Sequence, residues 1–174
     1  MRMVQGNIWK LAKALDWVVV PTSISWRRDG TAVMGRGVAK QAADRWPGLT
    51  VDYGEQCMLR GASTPVLAHR PRGLNPKNLL LFPVKPLDSS APHLSWKQPA
   101  SLELIQRSLR QLYAMLPELH GGSIYIPDVG CGNGLLPVVV VRPYIEHTFK
   151  DVERVIHVRS MAGSGPILAP SRGS

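Results

Sequence analysis

Apolar positions along the chain switch between runs typical of buried strands and spacings typical of helices. Residues 16–21, DWVVVP, form a continuous β-branched run of the kind found in strands buried on both faces of a sheet. Residues 101–116 instead repeat leucine and isoleucine at helical spacing, and Ser101 stands where an N-cap is expected. The apolar face of this predicted helix consists of Leu102, Ile105, Leu109 and Leu112.

The same patterns assign the other elements in alternating order. Further strands are predicted at MVQG (3–6), PVLAHR (65–70), NLLLFPVK (78–85), SIYIPDV (123–129) and RVIHV (154–158). Further helices are predicted at IWKLAKAL (8–15), within GVAKQAADRWPGL up to a stop at Pro47-Gly48, at TVDYGEQCML (50–59) and at VVVVRPYIEHTF (138–149). Because helices interleave with apolar strands, we predict an α/β fold with helices on both faces of one sheet.

Composition separates a body from a short tail. Residues 1–159 show no internal repeat and no linker, and their length suits one domain with a substantial core. Residues 160–174 are rich in glycine, proline and serine, which predicts a flexible C-terminal tail.

The formal net charge of +9 favours anionic partners, namely nucleic acid, nucleotides or phosphorylated metabolites. The basic residues are spread along the chain, and only Arg27-Arg28 and Arg70-Pro71-Arg72 form tight groups. This distribution argues against a basic arm of the kind that binds nucleic acid by charge alone.

Cysteines and histidines carry no metal or disulfide signal. Cys57 and Cys131 are too few for a disulfide framework, and the histidines lack the spacing of a metal site. No run approaches the roughly 20 apolar residues of a membrane span, and the N-terminus lacks a secretion signal. We expect a soluble, cytoplasmic, monomeric protein without a metal or cofactor.

Residues 124–134, IYIPDVGCGNG, look like the cofactor turn of a methyltransferase. In that class of protein, further strand and helix pairs follow the turn and complete the nucleotide site. Here only residues 135–174 follow, so most of the sheet precedes the motif, and Pro127 interrupts the strand before Asp128. The pattern instead indicates a turn whose glycines allow backbone amides to approach an anion. Taken alone, it is also compatible with a glycine-rich connection that binds no ligand.

A second glycine-rich segment lies near the start of a predicted helix. Residues 30–49 place Gly35 and Gly37 at a helix N-terminus, where backbone N–H groups favour a phosphate. Two such loops, each after a buried strand and before a helix, predict a clamp that holds a pyrophosphate from both sides.

These segments, in this order, resemble the macro domain, an ADP-ribose-binding family. The resemblance covers residues 3–158 and is carried by VQGNIWKL, DWVVVPTS, MGRGVAKQAADRWPGL, NLLLFPVK and IPDVGCGNGLL. The first loop is most similar to the MGxGxA subgroup of single-domain ADP-ribosyl hydrolases, and the second to its GCGxG loop. The resemblance implies a three-layer α/β/α macro domain over residues 1–159, with a mixed, mainly parallel six-stranded central sheet.

It also implies an ADP-ribose site at the strand ends. Asn7 and Ile8 would contact the adenine, and Thr22 and Ser23 the distal ribose. One phosphate wall, called here the first glycine loop, would comprise Met34, Gly35, Arg36, Gly37, Val38 and Ala39. The other, the second glycine loop, would comprise Val129, Gly130, Cys131, Gly132, Asn133, Gly134 and Leu135.

The chain departs from the family at three of these positions. Asn7 replaces a common aspartate, although its amide oxygen can still accept a bond from an adenine amino group. Ser23 stands where many members have asparagine, and Leu135 stands where a glycine is usual.

Lys85 is the candidate catalytic residue. It ends the apolar strand LLLFPVK, where members of the subgroup often carry a lysine. The resemblance assigns that lysine a nucleophilic role at the anomeric carbon, and a desolvated amine is suited to such an attack. Contact with phosphate or ribose and a solvent-exposed strand end are the two other interpretations.

Residues outside the glycine loops offer weaker signals. The HLSWK segment places His93, Trp96 and Lys97 where they could cover the ribose or contact the rest of the substrate. A proline-rich surface loop with a half-buried Trp96 is the other interpretation, and the favoured one. Asp128 is a less favoured base, and Cys131 is typical of a small packed residue.

Three functions follow from these residues. The first is hydrolysis of an ADP-ribosyl bond on protein, nucleic acid or a small phosphorylated derivative. The second is a module that binds ADP-ribose or a related nucleotide without turnover, and the third is a basic nucleic-acid-binding protein. An aromatic content of 6% and the lack of a base-stacking strand place the third last.

Overall fold

One six-stranded sheet organises the part of the chain that the structure describes. The structure is a computed structural model and describes residues 1–73 and 77–159, so the predicted tail, 160–174, lies outside it. The strands are β1 (Arg2–Gln5), β2 (Trp17–Ser23), β3 (Leu67–His69), β4 (Asn78–Lys85), β5 (Ile124–Pro127) and β6 (Val155–Arg159). Their order is β1-β6-β5-β2-β4-β3, and β3 alone pairs antiparallel. The predicted α/β fold with a mixed, mainly parallel sheet is confirmed.

Helices cover both faces of this sheet. The helices are α1 (Ile8–Leu11), α2 (Gly37–Arg45), α3 (Leu49–Arg60), α4 (Leu102–Met115) and α5 (Val138–Phe149). Short 3-10 segments lie at Gly61–Ser63, Pro92–Lys97 and Leu116–Glu118. One apolar cluster joins α1, α2 and α3 to the sheet, and a second joins α4 and α5 to it. The arrangement is therefore a three-layer α/β/α sandwich.

The β-branched run of β2 explains why the sheet is buried on both sides. Val18 and Val20 pack in the α1–α3 cluster, whereas Trp17 and Val19 pack in the α4–α5 cluster. All four side chains are at most 1% exposed. Alternate side chains of a strand point to opposite faces, so a run without polar positions suits a strand between two helical layers.

α1 ends earlier than the apolar pattern predicts, and α2 ends next to its predicted stop at Pro47-Gly48. α1 ends at Leu11 because Ala12 is extended (φ −70°, ψ 130°), and Leu15 adopts a positive φ of 70° as the chain reverses towards β2. α2 ends at Arg45 because Trp46 precedes a proline and is extended. Between β4 and α4, where the pattern predicts no helix, the chain forms the 3-10 segment Pro92–Lys97.

Parallel pairing brings several strand ends to one edge of the sheet. Ser23 at the end of β2 lies in register with Lys85 at the end of β4, next to an irregularity between Thr22 and Ser23. β5 pairs with β2 in parallel and ends nearby at Pro127. In sheets of this type, ligands bind in the crevice outside the carboxyl ends of the strands.

Candidate functional site

A cavity of about 930 Å³ opens at the carboxyl edge of the sheet. Its volume lies within the range of roughly 300–1,000 Å³ that is usual for small-molecule sites. It is bounded by both glycine loops, the ends of β2 and β4, the start of α1 and the 3-10 segment Pro92–Lys97. The two loops and Lys85, which are far apart in the sequence, thus share one cavity.

The first glycine loop leads directly into α2. Arg36 is extended at the N-cap of α2, and Gly37 opens the helix with a positive φ of 59°. A Cβ atom on Gly37 would lie 3.2 Å from the side-chain nitrogen of Asn133, in the second glycine loop. The two loops therefore approach each other closely, as a two-sided clamp requires.

The second glycine loop is folded too tightly for side chains at two positions. Gly130 has a positive φ of 76°, and a Cβ there would lie 2.5 Å from the side chain of Ile105. A Cβ on Gly134 would lie 2.4 Å from the carbonyl oxygen of Gly130. The carbonyl oxygen of Gly134 accepts a hydrogen bond from the backbone N–H of Ala100 at 2.9 Å. By contrast, a Cβ on Gly132 would meet nothing within 4 Å.

Lys85 lies on the cavity wall with its amine partly buried. Its Nζ donates a hydrogen bond to the backbone carbonyl oxygen of Trp96 at 2.7 Å. Burial, and secondly the positive charge of Arg36, lower the pKa of Lys85 below its ordinary value. A lower pKa increases the fraction of free amine at neutral pH, and the free amine is the nucleophilic form.

The 3-10 segment Pro92–Lys97 brings an aromatic ring and cations to the cavity. Cζ of Arg36 lies 5.4 Å from the ring centroid of Trp96, and Nζ of Lys97 lies 5.5 Å from it. These distances are typical of cation–π contacts. His93 and Trp96 both line the cavity, whereas Lys97 does not. The segment therefore connects the first glycine loop to the wall that holds Lys85.

The side chains predicted to contact the distal ribose and the adenine are already hydrogen-bonded within the protein. The hydroxyl of Thr22 lies 2.7 Å from that of Tyr53, and both are buried. The hydroxyl of Ser23 lies 3.0 Å from that of Ser25. The side-chain oxygen of Asn7 accepts a bond from the backbone N–H of Trp9 at 2.9 Å and so caps α1.

Most of the predicted site residues line this one cavity. Those that do are Asn7, Ile8, Thr22, Ser23, Met34, Gly35, Arg36, Gly37, Val38, Ala39, Lys85, Gly130, Cys131, Gly132, Asn133 and Gly134. Val129 and Leu135 do not. Val129 is fully buried in the α4–α5 cluster, whereas Leu135 is 65% exposed and has a positive φ of 67°. The two end residues of the second loop therefore act in packing and in the turn.

Four polar residues that sequence reasoning did not place in the site also line the cavity: Arg27, Arg28, Gln41 and Arg159. The Arg27-Arg28 pair was visible in the sequence, but nothing there distinguishes it from a solvated surface. Arg159 directly follows the predicted strand RVIHV, and its position at a strand end is a signal that could have identified it.

Two other candidate nucleophiles or bases are sequestered. Burial, followed by the charge of Asp128, raises the pKa of the Cys131 thiol to about 12, so this residue is a thiol and not a nucleophilic thiolate. The carboxylate of Asp128 is hydrogen-bonded by Arg142 and His157.

Across residues 1–73 and 77–159, no three His, Cys, Asp or Glu side chains form a group that could hold a metal ion. No helix in those ranges is long and apolar enough to cross a membrane.

Comparison with solved structures shows that the fold is that of a macro domain. The macrodomain of Thermus aquaticus DarG superposes with a TM-score of 0.69 and 27% identity over 91% of this chain and 96% of that one. Thermosipho africanus DarTG in complex with ADP-ribose gives a TM-score of 0.71 and 19% identity over 91% of this chain and 40% of that one. No family model matches the sequence.

Sequence comparison finds relatives described as DNA ADP-ribosyl glycohydrolases. The protein from Thermus aquaticus is 29% identical over 157 residues, and that from Mycobacterium tuberculosis is 30% identical over 131 residues. These matches cover 89% and 72% of this chain, respectively. The chain spans only 39% and 35% of the length of these two curated relatives. The similarity therefore concerns one part of each relative.

Proposed function

We propose that this chain is an ADP-ribosyl glycohydrolase that removes ADP-ribose from DNA. The observation that carries the proposal is the position of Lys85, whose partly buried amine lies in the same cavity as both glycine loops. The curated relatives are described as DNA ADP-ribosyl glycohydrolases, and a related DarTG was solved with ADP-ribose. The proposal extends these properties to this chain.

In the proposed complex, the two glycine loops hold the pyrophosphate. In that complex, backbone N–H groups of the first loop and the start of α2 would bind one side of the pyrophosphate, and those of the second loop would bind the other. Asn7 and Ile8 lie at the adenine, and Thr22 and Ser23 at the distal ribose. This orientation brings the anomeric carbon of the distal ribose towards Lys85.

The proposed chemistry is a displacement at that carbon. The free amine of Lys85 forms a bond to the anomeric carbon while the bond to the DNA base breaks, and the base leaves with the electron pair and takes up a proton. Water then replaces the lysine nitrogen, which releases ADP-ribose and restores the amine. Desolvation of Lys85 supports this role because it favours the uncharged nucleophile.

The charge of the cavity supports a polyanionic substrate. Arg27, Arg28, Arg36 and Arg159 line it together with Lys85, and Asp128 is the one acidic residue among the described lining residues. Arginine contacts with phosphates supply most of the sequence-independent affinity for nucleic acid. A cationic cavity therefore suits ADP-ribose attached to DNA better than ADP-ribose attached to an acidic peptide.

The second candidate function is a module that binds ADP-ribose without turnover. One observation favours it: the hydroxyl of Ser23, at the predicted ribose contact, is bonded to Ser25 and is also within 3.4 Å of the Val33 carbonyl oxygen. The side chain of Ser23 is also shorter than the asparagine that the family resemblance leads one to expect at this position. In this case Lys85 would contact phosphate or ribose as an ammonium.

The deciding experiment uses one single-stranded DNA and one glutamate-containing peptide, each carrying ADP-ribose. Released ADP-ribose is quantified by chromatography for the unchanged chain and for Lys85→Ala, and binding of free ADP-ribose is measured by calorimetry. We expect release from DNA that is lost in Lys85→Ala, with binding retained. Binding without release by the unchanged chain would establish the module, and release from the peptide alone would reassign the substrate.

A further inference from the structure

Asp128 places a buried carboxylate immediately before the second glycine loop. It follows β5, its side chain is 3% exposed, and the residue lines the cavity. Negative charges repel one another strongly where water is excluded. A carboxylate in this position would oppose the binding of any anion held by the loop unless its charge were balanced.

Arg142 supplies that balance through two parallel hydrogen bonds. Its Nε donates to one carboxylate oxygen of Asp128 at 3.0 Å, and its Nη2 donates to the other at 2.8 Å. Arg142 lies on α5, the helix that follows the loop. Two-point pairs of this kind fix the carboxylate plane as well as its charge.

His157 holds the same carboxylate from the sheet. Its Nε2 lies 2.8 Å from the Asp128 oxygen that also faces Nε of Arg142, and the imidazole is fully buried on β6. Its Nδ1 has no partner among the residues described. Because a carboxylate only accepts hydrogen bonds, we assign the proton to Nε2 as the donor. Asp128 is thereby tied to both α5 and β6.

The charges of Asp128 and Arg142 both act on the second glycine loop. After burial, the negative charge of Asp128 is the next cause of the raised pKa of Cys131, and the positive charge of Arg142 acts in the opposite direction. Cys131 is the central cysteine of the GCG sequence in the second loop. The field of Asp128 is thus felt where a phosphate would lie, and Arg142 opposes it.

We propose that Arg142 is a positioning residue for anion binding: it neutralises Asp128 and holds its carboxylate away from the ligand, so that the second glycine loop can accept a pyrophosphate. The inference rests on the ADP-ribose-binding part of the proposed function and is independent of Lys85 chemistry. A purely structural Arg142 would stabilise the fold without controlling the affinity for an anion.

A charge-rescue series separates these two roles. ADP-ribose is titrated calorimetrically into the unchanged chain, Arg142→Gln, Asp128→Asn and the Asp128→Asn/Arg142→Gln double variant. Because loss of one partner leaves an uncompensated buried charge, we expect Arg142→Gln to weaken binding by about tenfold or more. We expect the double variant, which restores neutrality, to recover to within about threefold of the unchanged chain.

The ADP-ribose affinity of the double variant shows whether Arg142 acts through the charge of Asp128. Affinity no better than that of Arg142→Gln would overturn the inference, because Arg142 would then act by packing alone. Circular dichroism establishes that each variant is folded. If Arg142→Gln does not fold, Arg142→Lys takes its place, alone and combined with Asp128→Asn. Binding near that of the unchanged chain, or a loss that Asp128→Asn recovers, supports the inference, whereas a tenfold loss that persists in Asp128→Asn/Arg142→Lys overturns it.

Failure of the proposed function and failure of the role of Arg142 give different results in these titrations. Absence of ADP-ribose binding by the unchanged chain would overturn the proposed function itself. The same series would then be titrated with inorganic pyrophosphate, which requires only the two glycine loops. Rescue in that titration would uphold the role of Arg142, whereas absence of rescue or of any binding would refute it.

Discussion

The amine of Lys85 donates a hydrogen bond to the backbone carbonyl oxygen of Trp96, 2.7 Å away. The acceptor is neutral, and none of the salt bridges found in residues 1–73 and 77–159 involves Lys85. An ammonium in this position therefore gains a hydrogen bond without a counter-ion, while burial and the charge of Arg36 disfavour it. The Trp96 carbonyl positions the nitrogen, while burial and the charge of Arg36 lower the pKa of Lys85.

The first prediction concerns the pH dependence of turnover. Arg36→Gln removes a positive charge that lowers the pKa of Lys85, so the pKa should rise and the free amine should form at higher pH. The rising limb of kcat/KM should move to higher pH, and activity below that limb should fall in proportion to the free amine. The measurement is a pH profile of ADP-ribose release.

Arg36→Lys is the matched control because it retains the positive charge. Its rising limb should stay near that of the unchanged chain, even if changed phosphate contacts alter the overall rate. An unmoved limb in Arg36→Gln would show that the charge of Arg36 does not control Lys85.

The second prediction separates packing from ligand approach in the second glycine loop. Gly134→Ala forces a Cβ to within 2.4 Å of a backbone oxygen, so the free energy of unfolding should fall by about 1–3 kcal/mol. Gly132→Ala meets nothing within 4 Å in the protein but lines the cavity, so stability should be unchanged and ADP-ribose affinity should fall. Thermal unfolding and calorimetry distinguish the two effects. Equal losses of stability in both variants would contradict this assignment.

Local sequence patterns predicted the elements that depend on burial alone. β2 has a continuous run of buried β-branched residues, and α4 has apolar residues at helical spacing over its whole length. Both elements formed where predicted. The glycine loops were also recognisable, because positive φ and close approach at Gly37 and Gly130 permit few other residues.

The parts that were missed depend on contacts between distant residues. Asp128 meets partners 14 and 29 positions further along the chain, and its own sequence neighbourhood gives no sign of either. Val129 directly precedes the GCG sequence that lines the cavity, yet its side chain packs in the core with residues of α4 and α5. Sequence spacing predicts which loop reaches the cavity, but tertiary packing decides which side chains face it.

The third prediction concerns Asn7, whose side chain caps α1. Asn7→Ala removes the acceptor for the Trp9 N–H and should lower the free energy of unfolding by about 1 kcal/mol. Asn7→Asp retains an oxygen acceptor and should leave stability within about 0.5 kcal/mol of the unchanged chain, because aspartate caps helices as well as asparagine does. Urea unfolding measures both. A stable Asn7→Ala variant would show that the cap contributes little to the fold.

The fourth prediction concerns the buried hydrogen bond between Thr22, near the end of β2, and Tyr53. The hydroxyls of Thr22 and Tyr53 lie 2.7 Å apart, and burial raises the pKa of Tyr53 well above its ordinary value, so the phenol stays protonated. Tyr53→Phe leaves the Thr22 hydroxyl without this partner and should cost about 1–3 kcal/mol of stability. Thr22→Val removes the other hydroxyl and retains the side-chain shape.

A double-mutant cycle isolates the contribution of this bond. Because Tyr53→Phe/Thr22→Val leaves neither hydroxyl buried and unpaired, it should cost less than the sum of the single variants by about 1 kcal/mol, as measured by urea unfolding. Thr22 lines the cavity, so each single variant should also weaken ADP-ribose binding if the bond holds this strand end in place. Strictly additive stabilities would mean that the two hydroxyls are not coupled, and the position of Thr22 would then depend on the register of β2 with β4 alone.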